Sequence, residues 1–210
     1  MIHQCTGVRI SNIHLNAPEN SPNTDGIDIT LSTHVDIRDS SIATGDDCIA
    51  CGPGHGISVG SLGVAKSDDR VAQVHVQHCT FTNTQNGGRI KTRQVREELG
   101  MLRRFSLTIS LVGTENPIII DQHYCDDGAQ CQALAGAVKV SDVTCTWFQG
   151  TSATEEAITL DCSDLGCTNI VMDHVNITST VPGKPVLQSL CKNANGTSSF
   201  TTPDVPCLSR

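Results

Sequence analysis

The sequence predicts an all-β chain wound as a right-handed parallel β-helix, which is a solenoid of stacked coils. Three observations support this class: apolar residues recur with one spacing about every thirty residues, helical periodicity is nearly absent, and only 3% of residues are aromatic. Small and β-branched residues dominate, which suits narrow coils whose side chains stack inward. A β-sandwich is the alternative, but its strands would recur every ~8–12 residues with hairpin turns.

The repeat consists of apolar residues at positions i, i+2, i+5 and i+7. The matching sets are Val8, Ile10, Ile13 and Leu15; Val35, Ile37, Ser40 and Ile42; Val74, Val76, Cys79 and Phe81; Val138, Val140, Val143 and Cys145; and Ile170, Met172, Val175 and Ile177. The interval between the copies that start at 74 and 138 has room for two units. Each copy contains two short alternating stretches joined by a turn rich in Asn, Asp, Ser and Thr, as a strand, a corner and a second strand require.

The domain organisation is expected to be simple. Residues 1–210 are predicted to form a single β-helix domain, because the length suits one solenoid and no stretch resembles a linker. Residues 93–108 are an atypical segment: the part at 93–104, RQVREELGMLRR, is charged and helix-prone, and the apolar alternation is expected to return only at about Ile109.

The composition limits both partners and compartment. A net charge of −8 without a basic run argues against a nucleic acid partner. No apolar run approaches the ~18 residues needed to cross a bilayer, so we expect no membrane binding. We also expect a monomer. Eleven cysteines and two glycosylation sequons, at Asn176 and Asn195, indicate a secreted, disulfide-bonded glycoprotein, although residues 1–7 do not resemble a signal peptide. The cysteine spacing does not match a zinc site, and we expect no metal or cofactor.

Charged motifs are expected to converge on one side of the solenoid. The motifs NTD (23–25), GDD (45–47) and RIK (89–91) lie at similar offsets in successive copies of the repeat. Stacked coils are ~4.8 Å apart, so the three aspartates would be neighbours, with His55 and the RIK cations beside them. An isolated Asp-Asp pair is more often a solvated turn, but several charged motifs on one face favour a functional site.

Four segments resemble the signature segments of glycoside hydrolase family 28, the polygalacturonases. They are NTDGIDI from Asn23, GDDCIA from Gly45, GHGISVGSLG from Gly54 and RIKT from Arg89. Their order and approximate spacing are also similar to those of the family. The segment NPIIIDQHYC at 116–125 resembles one typical of the plant branch, in which the tyrosine, here Tyr124, is found near the substrate. The resemblance covers most of residues 5–191.

This resemblance implies a pectin-degrading enzyme that hydrolyses α-1,4-galacturonosidic bonds of polygalacturonate with inversion, in an extracellular setting such as the plant cell wall. Inversion needs a proton-donating carboxyl and a carboxylate that activates water, ~6.5–9.5 Å apart. By resemblance, Asp46 is the general acid, while Asp25 and Asp47 share the water. Crowding of three carboxylates is expected to raise the pKa of at least one of them, which keeps a proton available in mildly acidic surroundings.

The resemblance also implies roles for the other site residues. His55 would tune the acid or contact substrate, Asn23 would bond to sugar or position the nearby aspartate, and Tyr124 would contact substrate. Arg89 and Lys91 lie two residues apart, hence on one face of a strand, where they can pair with galacturonate carboxylates. A plain cationic surface patch is the alternative for these two residues, and a core position is the alternative for Tyr124.

Two other functions stay open at this stage. Only 22 residues precede the NTD motif, fewer than in the family, so the solenoid is expected to be N-terminally truncated. The chain is then either an active hydrolase or an inactive, pectin-binding remnant of one. A calcium-dependent pectate lyase on the same architecture is less favoured, because the aspartates lie in family-28 motifs and no arginine base is evident.

Overall fold

The structure is a computed structural model, and it describes residues 1–18, 25–44, 55–64, 67–94, 100–124, 137–184 and 186–209. The described residues contain sixteen β-strands, which form two sheets with parallel pairing throughout. Successive parts of the chain alternate between the two sheets, so the chain winds as a parallel β-solenoid of about six turns. The predicted fold class is confirmed.

Each coil contributes one strand to a seven-stranded sheet. In spatial order its strands are β1 (Ile2–His3), β4 (Ile27–Thr30), β7 (His55–Leu62), β9 (Asn86–Thr92), β11 (Asn116–Asp121), β13 (Glu156–Asp161) and β15 (Gln188–Lys192). Spatial order equals chain order in this sheet, so each coil lies between the preceding one and the following one. Ile120, for example, pairs with Ile90 on one side and Leu160 on the other.

The remaining strands form a nine-stranded sheet. In chain order they are β2 (Thr6–Ser11), β3 (His14–Asn16), β5 (Thr33–Arg38), β6 (Ser41–Ala43), β8 (Arg70–Thr82), β10 (Met101–Thr114), β12 (Lys139–Ser152), β14 (Cys167–Ser179) and β16 (Ala194–Thr202). Apolar residues of both sheets point into one interior, where Ile29, Val76, Leu107 and Met172 are at most 1% exposed.

Two columns of residues with positive φ bend the nine-stranded sheet. The first contains Gly7, His34, Gln73, Arg104, Asp142 and Asn169, and the second contains Asn12, Asp39, His78, Trp147, His174 and Phe200. Asn, Asp and His are the residues other than glycine that most readily adopt this backbone region. The polar turns of the sequence repeat therefore occupy these corners. The second column also contains two bulky aromatic residues, Trp147 and Phe200.

The register confirms the predicted repeat in part. The copies that start at 8, 35, 74 and 170 are aligned with one another, the last through Phe105 and Val143. The start at Val138 is wrong, because Val143 pairs with Ile170 on one side and with Phe105 on the other. Val138 is buried, but it lies before the corner at Asp142. The alternating apolar residues Val138 and Val140 therefore belong to the straight stretch that precedes this corner. The long interval does contain two units, which begin at Val74 and Phe105.

The atypical segment joins the solenoid earlier than the sequence indicated. β10 begins at Met101, and Leu102 pairs with both β8 and β12, so the return of alternation only at Ile109 is wrong. Leu102 and Phe105 are buried, whereas the two arginines between them are exposed. Pairing on both sides and burial of alternate residues override the local helix propensity there. Residues 95–99 lie outside the described part of the chain.

Disulfide bonds join Cys162 to Cys167 and Cys191 to Cys207, as expected for an oxidising compartment. Cys145 is a free thiol, and burial raises its pKa to about 12, which makes it unreactive. In the ranges given above, no helix is long and apolar enough to cross a membrane.

Candidate active site

Predicted site residues from several coils meet on the outer face of the seven-stranded sheet. Arg89 and Lys91 lie two residues apart on β9, and both are half-buried. His55 opens β7 on the preceding coil and is 5% exposed. Tyr124 follows β11 on the next coil. The structure therefore brings these four residues together on three neighbouring coils.

Asp25 lies at the start of the coil before His55. It lies two residues before β4, and the amide of the intervening Gly26 donates a hydrogen bond to the His55 carbonyl oxygen at 2.9 Å. A Cβ atom on residue 26 would lie 2.5 Å from the carbonyl oxygen of Gly56, so only glycine allows this close approach. The glycine of the NTDG motif thus holds the half-buried Asp25 against the strand that begins at His55.

Three other predicted site residues, Asn23, Asp46 and Asp47, lie outside the described residues. Their sequence neighbours are described: Asp25 comes two residues after Asn23, and His55 follows the GDD motif by eight residues. The roles given to these three residues from the sequence stay predictions.

His55 is held in one protonation state by its neighbours. Its Nδ1 lies 2.5 Å from the side-chain amide of Asn86, and its Nε2 lies 2.8 Å from Nη1 of Arg89. Arginine can only donate, so Nε2 of His55 accepts this hydrogen bond and carries no proton. Burial, and then the charges of Arg89 and Lys91, lower the pKa of His55 to about 3. A neutral imidazole results at mildly acidic pH.

Three cations surround the ring of Tyr124. The Cζ of Arg89, the Nζ of Lys91 and the Cζ of Arg93 lie 5.2, 5.1 and 5.9 Å from the ring centre. These distances lie within the ~6 Å range of cation–π attraction, so the ring offsets part of the repulsion among the cations. The arrangement concentrates positive charge on one face of a chain whose net charge is −8.

Buried Gln122 fixes the segment that carries Tyr124. Its Nε2 donates to Thr92 Oγ1 at 3.2 Å and to the Val138 carbonyl at 2.7 Å, and its Oε1 accepts from the Ser163 amide at 3.2 Å. One side chain thereby links three coils. The backbone around Tyr124 is consequently tied to the interior, although it lies beyond the end of β11.

A row of charged residues continues from Lys91 along the solenoid axis. In register on successive strands, Lys91 pairs with Asp121, Asp121 with Asp161, and Asp161 with Lys192. His123 joins the row: its backbone amide donates to Asp121 at 3.0 Å, and its Nδ1 lies 2.8 Å from Asp161 Oδ2. Burial raises the pKa of Asp121, while the His123 amide and Arg89 oppose this rise.

The sequence pattern alone predicts no role for Asn86, Asp121, His123, Asp161 or Lys192. The register between neighbouring coils identifies these residues, since each lies one coil away from a polar residue on the same face of the sheet. Coil lengths vary, however, so the sequence alone does not specify this register. Within the described ranges, no three His, Cys, Asp or Glu residues are grouped as a metal site would require.

Comparison with known proteins decides the family. The family model described as "Glycosyl hydrolases family 28" matches residues 1–201. The chain belongs to this family. It is 44% identical over 208 residues to a polygalacturonase of Juniperus ashei, covering 92% of this chain and 40% of that protein. It is 39% identical over 224 residues to a polygalacturonase of Prunus persica, covering 99% of this chain and 56% of that protein.

These relatives also define how much of a family-28 protein the chain represents. A probable polygalacturonase of Arabidopsis thaliana is 42% identical and is covered over 49% of its length. The chain thus spans about half the length of the relatives that it matches. In structure it is similar to a hyperthermoactive exopolygalacturonase from Thermotoga maritima, with a TM-score of 0.63 and 16% identity over 99% of this chain and 49% of that one. This likeness supports the solenoid fold.

Proposed function

We propose that this family-28 chain belongs to an extracellular polygalacturonase that hydrolyses α-1,4-galacturonosidic bonds of polygalacturonate with inversion. The observation that carries this proposal is the cluster of Arg89, Lys91 and Arg93 around Tyr124, one coil away from His55 and two from Asp25. A polyanionic substrate needs local cations on a protein of net charge −8, and this cluster supplies them.

The described residues bind and orient substrate in this proposal. Lys91 and Arg93 pair with galacturonate carboxylates, while the Tyr124 ring supports the apolar face of a sugar. His55 is neutral and accepts a hydrogen bond from Arg89, so it orients the guanidinium and does not itself supply the proton. In this proposal the proton donor is a carboxyl group.

The bond-breaking step is assigned to the aspartates of the two acidic motifs. Asp46 gives its proton to the glycosidic oxygen as the bond from that oxygen to the anomeric carbon breaks. A water molecule attacks the opposite face of the same carbon and loses its proton to Asp25 or Asp47. Both protons and the leaving group are thus accounted for without a cofactor.

The test is the release of reducing ends from polygalacturonate by the purified 210-residue chain and by its Asp46→Asn variant. We expect roughly a 10²–10⁴-fold loss of turnover with substrate affinity largely kept, because the variant removes a proton donor and little else. Asp164→Asn, in an exposed turn between β13 and β14, serves as the matched control. Equal turnover in wild type and Asp46→Asn would contradict the assignment.

A pectin-binding remnant without activity is the second candidate, and it is supported by the coverage of only 40–56% of the relatives' length. It predicts that the chain binds polygalacturonate in a pull-down but releases no reducing ends. The less favoured pectate lyase would give an unsaturated product that absorbs ultraviolet light, and chelation of calcium would abolish its formation. Measuring binding, reducing ends and ultraviolet absorbance on the same incubation distinguishes the three outcomes.

A further inference from the structure

We propose that the N-glycan expected on Asn176 rests in a groove walled by Trp147, His174 and Phe200, on the sheet away from the candidate active site. The first sugar of the glycan, an N-acetylglucosamine, would cover these aromatic side chains. The occupant is thus part of this chain's own modified form, and the inference is independent of the proposed hydrolase activity.

Three rings from three successive coils form a continuous stack. The rings of Trp147 and His174 have centroids 4.1 Å apart and planes inclined by 24°. His174 and Phe200 have centroids 4.7 Å apart, with planes inclined by 35°. Trp147 is 64% exposed and Phe200 is 77% exposed, although both belong to the large apolar side chains that proteins usually cover.

Bulky aromatic residues are uncommon at the backbone positions that Trp147 and Phe200 occupy. All three occupy the corner column with positive φ, at 51° for Trp147, 52° for His174 and 51° for Phe200. Earlier coils place Asn12 and Asp39 in this column, which suit that backbone region better. Neither local backbone preference nor burial in the core therefore accounts for Trp147 and Phe200, which leaves a surface role for them.

The sequon lies beside this stack. Asn176 is exposed, follows His174 by two residues on β14, and lies in register between Gln149 and Thr202 of the neighbouring strands. Together with Thr201 and the three rings, these residues line a groove of about 520 Å³. That volume lies within the range of about 300–1,000 Å³ typical of small-molecule sites.

The chemistry of the groove matches a sugar attached at Asn176. Its aromatic wall suits the apolar face and the methyl group of an N-acetylglucosamine, whereas Gln149, Thr201 and Thr202 offer hydrogen bonds to hydroxyl groups. The attachment point lies within the groove, so the first sugar is held there at a high effective concentration. A free polysaccharide would have to displace this sugar to bind.

Trp147 is the only tryptophan in the sequence, so its fluorescence reports on this groove directly. The chain would be produced in a eukaryotic secretory host, and occupancy of Asn176 would be measured by mass spectrometry. We expect removal of the glycans to shift the Trp147 emission to longer wavelength and to increase acrylamide quenching at least twofold. The Asn195→Gln variant should respond like wild type, because Asn195 lies five residues before Phe200 on β16, roughly 17 Å along the strand.

A second measurement observes the glycan itself. In the Trp147→Gly and Phe200→Gly variants, whose positive φ glycine tolerates, an endoglycosidase should trim the Asn176 glycan several-fold faster than in wild type. The Asn195 glycan of the same molecules should be trimmed at an unchanged rate. The proposal is overturned by an unmodified Asn176 in the secreted chain, by unchanged quenching after deglycosylation, or by equal trimming rates in the variants. Quenching by added polygalacturonate with the glycan in place would also overturn it, and would make the stack a polysaccharide site.

Discussion

At the scale of single residues, the candidate site depends on how charge is arranged around two rings. His55 is kept neutral by burial and by Arg89 and Lys91, and Tyr124 lies between cations that would otherwise repel one another. The cations Arg89, Lys91 and Arg93 are thereby grouped on one face of the sheet. Their positions on β9 and directly after it make each one a separate target for substitution.

Lys91→Ala should weaken binding to polygalacturonate more than binding to a highly methyl-esterified pectin, because the lost partner is a free carboxylate. A loss of about tenfold in affinity for polygalacturonate corresponds to the 1.4 kcal/mol typical of one charge-assisted hydrogen bond. Isothermal titration calorimetry on both polymers measures the difference. Lys139→Ala, an exposed lysine on the other sheet, is the control. Equal losses on both polymers would contradict pairing with a carboxylate.

His55 should make stability depend on pH. Its pKa is about 3 in the folded chain against an ordinary value of 6.5, so between these pH values the unfolded chain binds one more proton than the folded chain. The free energy of unfolding therefore decreases as pH falls through this window, by up to about 1.4 kcal/mol per pH unit. Urea unfolding at several pH values should show a shallower slope for His55→Gln. An identical slope in the variant would contradict the effect.

At the scale of elements, the seven-stranded sheet is closely packed where its strands begin. Gly26, Gly56 and Gly87 occupy equivalent positions on successive coils, and a Cβ at each would meet backbone or ring atoms of the neighbouring strands within 3 Å. This close packing places Asp25 against His55 and sets the spacing of the site.

Gly87→Ala should lower the free energy of unfolding by about 1–3 kcal/mol, because the added Cβ would lie 2.5 Å from the Pro117 carbonyl oxygen. The matched control is Gly7→Asn, where φ is +77° and the space is open. This substitution should stay within about 0.5 kcal/mol, since other coils carry Asp142 and Asn169 in the same corner column. Urea unfolding measures both, and similar effects of the two substitutions would show that close packing is unimportant here.

At the scale of the whole molecule, stability is a sum over interfaces between neighbouring coils. In this chain the first coil has one such interface: Val8 and Ile10 are only half-buried, whereas the equivalent Val35 and Ile37 of the next coil are fully buried. The coils from Val138 to Ile177 have neighbours on both sides and almost completely buried apolar residues.

Hydrogen exchange of the 210-residue chain should therefore differ between its two ends. We expect residues 5–18 and 25–30 to exchange much faster than residues 138–177, because the first coil opens at the cost of a single interface. Mass spectrometry of peptic peptides after timed labelling measures the difference. Uniform protection along the chain would contradict this expectation.

The sequence by itself determined the class of fold and the family, and it predicted the face on which His55, Arg89 and Lys91 lie. Inward-pointing apolar residues, corner residues and the NTD, GDD and RIK motifs are local signals, and each can be read from a few neighbouring residues. Only the tertiary structure decided the register between coils. It shows that one repeat starts at Val143 and not at Val138, and that another starts at Phe105. The register also places Asn86 within hydrogen-bond distance of His55 and aligns Lys192 with Asp161 on the neighbouring strand. Coil length varies because turns can lengthen at little energetic cost, so residues 30 to 40 apart become neighbours only when strands pair.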